Sequence, residues 1–323
     1  MILVTGGAGY IGSHVVKRLG ERGYDPAVYD NLSKGHREMV TYGRLVQGDL
    51  SEVSRLAGLI QDHGVTAVIH FAAHCLVGES EEDPHKYYLN NVVNTIHLLD
   101  AMLKTGVRRI VFSSSAAVYG EPLGVPIDED HPTVPTNVYG QTKLMVENIL
   151  KKYATAYGLQ YASLRYFNAA GADEGAAIGE DHKPESHLIP LVLDVALGRK
   201  KEITIFGTDY DTPDGTCIRD YIHVSDLAEA HVLALEDLVQ NGRSSVYNLG
   251  NGKGFSVREV IETAEQVTGK KINAVEGNRR KGDPARLVAS SERIMKKLGW
   301  RPAFADLKTI VATAWNFHRR RFG

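Results

Sequence analysis

The N-terminal run Met1-Ile-Leu-Val-Thr-Gly-Gly-Ala-Gly-Tyr-Ile-Gly12 constrains the chain more than any other stretch. Residues 2–5 are apolar and β-rich, as expected of a buried strand in a parallel sheet. Gly6, Gly9 and Gly12 follow at i, i+3 and i+6, and residues 13–23 continue with helical spacing. A phosphate reaches a backbone only where Cβ atoms are absent, and a helix N-terminus offers it N–H donors and positive dipole. The triplet alone is also what an ordinary glycine-rich turn looks like. Its setting between strand and helix strengthens it, as does Asp30, which ends the next apolar run about 20 residues on. An acid there accepts from both ribose hydroxyls and repels a 2′-phosphate, so the expected cofactor is NAD and not NADP.

Apolar runs recur at Arg44–Gln47, 67–71, Arg109–Ser113 and Gln160–Tyr166, separated by helix-like segments near 52–61, 85–104 and 139–156. This alternation predicts an α/β fold, a doubly wound parallel sheet with helices on both faces. Ligands in such sheets bind beyond the carboxyl ends of the strands. That directs attention to 6–12, Asp30-Asn31, Asp49-Leu50, Phe71-Ala72-Ala73, Ser113 to Ser115 and Asn168. Asp49 is placed to accept from an adenine amino group; a loop Asp is as often a turn former.

The chain has 323 residues, too many for one small core, so a second, smaller unit is expected. Residues 119–138 hold Pro122, Pro126, Pro132 and Pro135 and predict an exposed loop over the sheet. Residues 171–186 are polar and Gly-rich, and the boundary is placed there. Beyond it the pattern gives helices at 188–197, 256–268 and 307–319 and strands at Ile203–Phe206 and 246–249. Whether 221–235 returns to the first unit is open. Segment 85–104 is apolar on more than one face, which fits either burial against another subunit or a central helix covered by its own chain.

Composition excludes several classes. A formal net charge of −2 leaves no broad basic surface, so no nucleic-acid partner is expected. No apolar stretch approaches the ~20 residues of a membrane span. The first strand leaves no room for a signal peptide, and the expected location is cytoplasmic. Two cysteines, Cys75 and Cys217, cannot build a disulfide framework. His70, His74 and Cys75 lack a fourth ligand at zinc spacing, and no metal is expected.

Tyr139 and Lys143 lie four apart on an expected helix, on one face, and Ser115 follows a strand. Together they make a proton-transfer site beside a nicotinamide. Bringing a Tyr pKa from about 10 to about 7 takes near 4 kcal/mol. One ammonium about 4 Å away at an effective dielectric of ~20 supplies as much. An isolated Y-x-x-x-K is more often a helix-surface pair.

The motifs Gly6-Gly-Ala-Gly-Tyr-Ile-Gly12, Ser113-Ser-Ser-Ala-Ala-Val-Tyr-Gly120 and Tyr139-Gly-Gln-Thr-Lys143 resemble the extended short-chain dehydrogenase/reductase family. The stretches 164–171, 206–224 and 279–283 are similar to its nucleotide-sugar epimerases, and matching motifs run to about residue 300. The resemblance implies NAD-dependent interconversion of UDP-glucose and UDP-galactose: C4 is oxidised, the 4-keto sugar turns over, and C4 is reduced on the other face. Tyr139 would take the C4 hydroxyl proton, Lys143 would lower its pKa and hold the nicotinamide ribose, and Ser115 would bond the C4 oxygen. It assigns the cofactor to Gly6, Gly9, Tyr10, Ile11, Gly12, Asp30, Asn31, Ser33, Gly35, Asp49, Leu50, Phe71, Ala72, Ala73, Asn90, Ser113, Tyr139, Lys143 and Tyr166. The UDP-sugar falls to Ser115, Asn168, His187, Leu188, Phe206, Arg219, Arg280, Asp283 and Leu287. It implies an NAD-binding Rossmann domain at 1–172, rejoined by about 218–245, a nucleotide-sugar domain at 173–323, and a homodimer through 85–104 and 139–156.

The chain departs from the pattern at two places. Leu287 stands where the resemblance puts a Tyr in enzymes that reject N-acetylated sugars, which opens room beside C2. Cys75 replaces a cofactor-contacting Lys of some relatives. Competing readings are a UDP-pentose 4-epimerase, which uses the same catalytic set, and a nucleotide-sugar 4,6-dehydratase. The latter needs an acid pair where this chain has Ala116 and Ala117. A cofactor-binding interaction protein would be favoured by loss of Ser115, Tyr139 or Lys143, and all three are present.

Overall fold

The computed structural model describes residues 1–280 and 282–323. Its centre is a parallel sheet of β1 (Ile2–Thr5), β2 (Pro26–Asp30), β3 (Arg44–Gln47), β4 (Ala67–His70), β5 (Arg109–Ser113), β6 (Gln160–Tyr166) and β7 (Ser245–Leu249). The spatial order is β7-β6-β5-β4-β1-β2-β3. The order reverses beside β1, so the crevice of a doubly wound sheet opens above the β1 and β4 carboxyl ends.

Alternation along β1 divides its side chains between two cores. Ile2 and Val4 face α1 (Tyr10–Glu21) and the helix Val224–Asn241, in a cluster with Val15, Leu19, Leu235 and Trp300. Leu3 faces α2 (Val53–Asp62) and α3 (Asn94–Thr105), with Leu56, Leu98 and Met102. Each such fully buried Leu or Val is worth roughly 1.5–3 kcal/mol over an exposed one. α4 (Val138–Tyr157) covers the same face through Val146 and Leu150. Its start is fixed by Asn137, whose Oδ1 accepts from the Gly140 N–H at 2.8 Å. Gly158 ends it in the left-handed region at φ 69°.

Several boundaries differ from the sequence reading. α1 begins at Tyr10 and not at 13, because the glycines enter the helix itself. Segment 85–104 is not one regular helix: Pro84–Tyr87 is α-helical, Tyr88–Val93 is a π-helical turn, and α3 follows. Segment 171–186, where the sequence reading places the domain boundary, is packed: Ala172 and Ile178 are buried with Met39 and Phe317. The helix Val224–Asn241, open in the sequence, packs on α1, and β7 then joins the main sheet beside β6.

A second core gathers helices α5 (Leu188–Ala196), Val257–Thr268 and Leu307–Phe322 around Ile189, Leu193, Ile203, Val260 and Ile310. Its strand Ile203–Phe206 pairs with Ala274–Gly277. The short strand Arg286–Leu287 pairs with Ile218–Arg219 and carries Leu287 toward the crevice.

Candidate active site

One cavity of about 590 Å³ runs from the glycine loop to the second core. At its floor two glycines are obligatory. A Cβ on Gly6, at φ 73°, would lie 2.6 Å from the Ala72 nitrogen, and one on Gly12 would lie 2.3 Å from the Gly6 oxygen. The N-cap of α1 is Gly9, with no side-chain cap, so the first-turn N–H groups remain open to the cavity. Asp30 lies beside them at the end of β2. Its carboxylate accepts from the N–H groups of Ala8 at 3.0 Å and Leu32 at 2.8 Å, while burial raises its pKa. Asn31 Nδ2 donates to Asp49 Oδ2 at 2.8 Å, closing the adenine end. A glycine cradle without Cβ atoms, an uncapped helix start and an acid fit a dinucleotide with a free 2′-hydroxyl.

The three residues expected to be catalytic meet where α4 crosses the end of β5. Ser115 Oγ accepts from the Ala117 N–H at 3.1 Å, which orients it as an N-cap. Tyr139 and Lys143 line the same cavity from α4. Lys143 Nζ donates to the Ser113 carbonyl at 2.8 Å and stands 5.8 Å from the Tyr139 ring centroid. Burial lowers its pKa to about 8, against the pull of Cys75 and Glu147. Tyr139 is buried beside it. Burial pushes its hydroxyl well above 10, Tyr166 adds to this, and the hydrogen bond to Ser115 opposes. Lys143 therefore does not by itself make Tyr139 a base near neutrality, because the ammonium is itself desolvated and bonded to Ser113. In the free protein Tyr139 is a hydroxyl donor.

The cofactor-side residues Gly6, Gly9, Tyr10, Ile11, Gly12, Asp30, Asn31, Ser33, Gly35, Asp49, Leu50, Phe71, Ala72, Ala73, Asn90 and Tyr166 all line this cavity. So do Asn168, His187, Arg280, Asp283 and Leu287 on the other side. Four residues expected there do not. Ser113 lies behind, holding the Tyr166 hydroxyl at 2.8 Å and Lys143 by its carbonyl. Leu188 packs against the second core. Phe206 supports Arg280, whose guanidinium stacks 4.0 Å over the ring. Arg219 is paired with Asp283, so its charge is already matched. Lys281, in the same motif as Arg280, lies outside the described residues. His70 is a satisfied strand-end residue, bonded to Thr5 and Thr95 and neutralised by burial to a pKa of about 3.

The sequence reading missed Lys34, Glu180 and His182 at the cavity wall. The run Glu180-Asp-His-Lys-Pro-Glu-Ser-His187 carried a signal, two glutamates and two histidines at spacings of 2, 3 and 2.

Sheet order, glycine cradle and the Ser115/Tyr139/Lys143 set define a dinucleotide-binding α/β enzyme of the short-chain dehydrogenase/reductase type. The NAD dependent epimerase/dehydratase family matches residues 2–250, and the chain belongs to that family. It is 56% identical over 318 residues to a UDP-glucose 4-epimerase of Halalkalibacterium halodurans, covering 98% of this chain and 95% of that one. The UDP-glucose 4-epimerase of Brucella ovis, solved in complex with NAD, superposes with a TM-score of 0.96 at 50% identity over 98% of both chains. A UDP-Glc/GlcNAc 4-epimerase of Campylobacter jejuni superposes at 0.87 with 40% identity over 99% of both. No helix among the described residues is long and apolar enough to cross a membrane.

Proposed function

We propose that the chain interconverts UDP-glucose and UDP-galactose at C4, with NAD as a resident cofactor. The carrying observation is the convergence of Ser115, Tyr139 and Lys143 in one cavity between the glycine cradle and Arg280. Bound NAD supplies the acceptor that takes the C4 hydride and returns it. The glycine loop and α1 start hold the pyrophosphate, and Asp30 the adenosine ribose. Lys143, placed between Ser113 and the Tyr139 ring, holds the second ribose. Ser115 and Tyr139 share the C4 oxygen, and Tyr139 moves its proton in both directions. Arg280, free of the Asp283–Arg219 pair and braced on Phe206, takes the diphosphate. The hexose is gripped more weakly than the nucleotide, so the keto sugar can turn over while UDP stays. Residues 173–323 are then the nucleotide-sugar side and 1–172, with about 218–245, the NAD side. Ala116 and Ala117 line the cavity, where a 4,6-dehydratase would need an acid pair.

The test is incubation of purified protein with UDP-galactose and no added NAD, products being resolved by chromatography. UDP-glucose is expected, since the hydride returns each cycle and the cofactor need not leave. Absence of product even with NAD supplied would overturn the reading. UDP-xylose in a parallel incubation distinguishes a pentose 4-epimerase.

A second substrate is favoured by Leu287. It lines the cavity beside Val118 and Phe167 without a polar group, which leaves room for an acetamide at C2. The Campylobacter jejuni neighbour, named for UDP-Glc and UDP-GlcNAc, supports this. We also propose a homodimer. Leu89 and Val93, four apart beside α3, are 48% and 37% exposed, and Met145 on α4 is 37% exposed. A second copy covers that apolar face best; a monomer mass by light scattering would exclude it.

A further inference from the structure

Four side chains of metal-ligand type cluster at the cavity wall, three of them lining it. Glu180, His182, Glu185 and His187 each bring one ligand atom, and these atoms lie within 4.8 Å of one another. His182 Nδ1 is 3.1 Å from Glu180 Oε1 and 3.6 Å from Glu185 Oε2. His187 Nδ1 is 2.7 Å from Glu180 Oε1 and 3.2 Å from Glu185 Oε1. A tetrahedral ion with bonds of about 2.0–2.1 Å sets its ligand atoms about 3.3 Å apart. The four observed separations bracket that value.

The four contacts lie at ion-pair distance, but hydrogen-bond geometry accounts for only one of them. Among the described residues Glu180 Oε1 and His182 Nδ1 have no hydrogen-bond partner, although they are 3.1 Å apart. Their approach does not have the geometry of a hydrogen bond. The Glu180 side chain is only 8% exposed, and a buried carboxylate oxygen without a donor is costly. Only His187 and Glu185 meet at hydrogen-bond geometry. Glu185 is held in place from outside: its Oε1 accepts from the Ser186 and His187 N–H groups at 2.7 and 2.8 Å. Such outer bonds are what orient a metal ligand.

We propose that Glu180, His182, Glu185 and His187 form a site for one divalent transition-metal ion of the zinc type. Two imidazoles and two carboxylates suit zinc, whereas magnesium and calcium prefer oxygen ligands alone. Four protein ligands fill a tetrahedron, so the ion is structural. It fastens residues 180–187 at a junction. On one side Lys34 Nζ donates to the Lys183 carbonyl at 2.6 Å, tying the segment to the loop after β2. On the other, His187 is the N-cap of α5. The ion thus links the adenosine end of the cavity to its sugar end, independently of which sugar is turned over.

The test begins with protein dialysed against a chelator and then titrated calorimetrically with zinc sulfate, with magnesium chloride as control. One equivalent of zinc per chain is expected, retained through desalting and counted by mass spectrometry, with no magnesium uptake. Glu180→Gln and His182→Ala, checked for fold by circular dichroism, should each lower zinc affinity by more than roughly a hundredfold, beyond the cost of losing an outer partner. X-ray absorption of the zinc-loaded wild type, which needs no variant, should show two imidazoles, oxygen ligands and no sulfur. No uptake at tenfold excess of zinc, full affinity in Glu180→Gln, or a sulfur ligand would overturn the site.

Discussion

At Tyr139 burial and charge act in opposite directions, and their sizes decide its state. With the 5.8 Å from the Lys143 ammonium to the ring centroid as the scale, its charge at an effective dielectric of ~20 offers roughly 3 kcal/mol, short of the ~4 kcal/mol that three pKa units require before desolvation is counted. Tyr139 therefore stays the hydroxyl in the free protein, and in the proposed reaction it needs a further positive charge in the cavity to act as a base. Tyr139→Phe should lower kcat roughly 10²- to 10⁴-fold while leaving NAD bound, since the hydroxyl handles the proton and adds little to cofactor affinity. Rates and the absorbance of retained cofactor would check this; unchanged turnover would remove Tyr139 from the reaction. Leu287 sets a different kind of threshold. It sits at the cavity edge against Val118 and Phe167, and a phenol ring there would fill the space an acetamide needs. Pockets of this kind discriminate by ~1–3 kcal/mol per group. Leu287→Tyr should thus lower kcat/KM for UDP-N-acetylglucosamine roughly 10- to 100-fold relative to UDP-glucose. An unchanged ratio would mean that residue 287 is not the gate.

Helix α4 carries Tyr139, Lys143 and Glu147 at i, i+4 and i+8, so one face holds both the chemistry and its anchor. Glu147 Oε1 accepts from Ser114 Oγ at 2.5 Å and from Arg165 Nε at 2.9 Å, and Oε2 accepts from Arg165 at 2.6 Å. Arg165 in turn donates to the Tyr119 hydroxyl, which donates to Asn248. The network binds α4 to β5, β6 and β7 in the interior. Glu147→Gln leaves Arg165 buried without its counter-charge, and such broken pairs cost about 3–5 kcal/mol. A lowered urea midpoint is expected, and an unchanged one would show that the network adds nothing. None of this was legible in the sequence, where Glu147 and Arg165 look like any helix and strand charges. What was legible is local and periodic: the glycines, the acid closing β2, the four-residue step from Tyr139 to Lys143, and most of the parallel strands. The pairing of Arg219 with Asp283, 64 positions away, was likewise not legible. The joining of β7 to the main sheet was hidden because a buried strand reads alike in either core. The π-helical turn at Tyr88–Val93 widens the helical period and shifts its faces, which the sequence shows only as apolar residues on more than one face.

Over the whole molecule, acid stability follows from histidines sealed in both halves of the fold. Burial lowers the pKa of His14, His223 and His231 from 6.5 to about 4 and that of His70 to about 3. Above pH 6.5 these rings are neutral whether the chain is folded or not, and their contribution is fully present. As the pH falls from 6.5 toward 4, the unfolded chain binds protons that the folded one refuses, so stability declines through that window. At about 1.4 kcal/mol per unit, each ring stands for roughly 3 kcal/mol, and four together are on the order of the total stability of a folded protein. Burial raises the pKa of Asp220 and Asp226, which therefore take up protons in the folded state first and oppose the loss only at its acid end. Unfolding free energies measured in urea from pH 7 to pH 4.5 should fall, these four rings contributing a slope that approaches four protons. His231 offers the cleanest check, because its Nδ1 meets only the Leu227 carbonyl and its Nε2 has no partner among the described residues. His231→Leu removes one titrating ring from the interior and should flatten the slope by about one proton, with little change above pH 7. A stability that stays level down to pH 5 would show that these rings are protonated inside the fold.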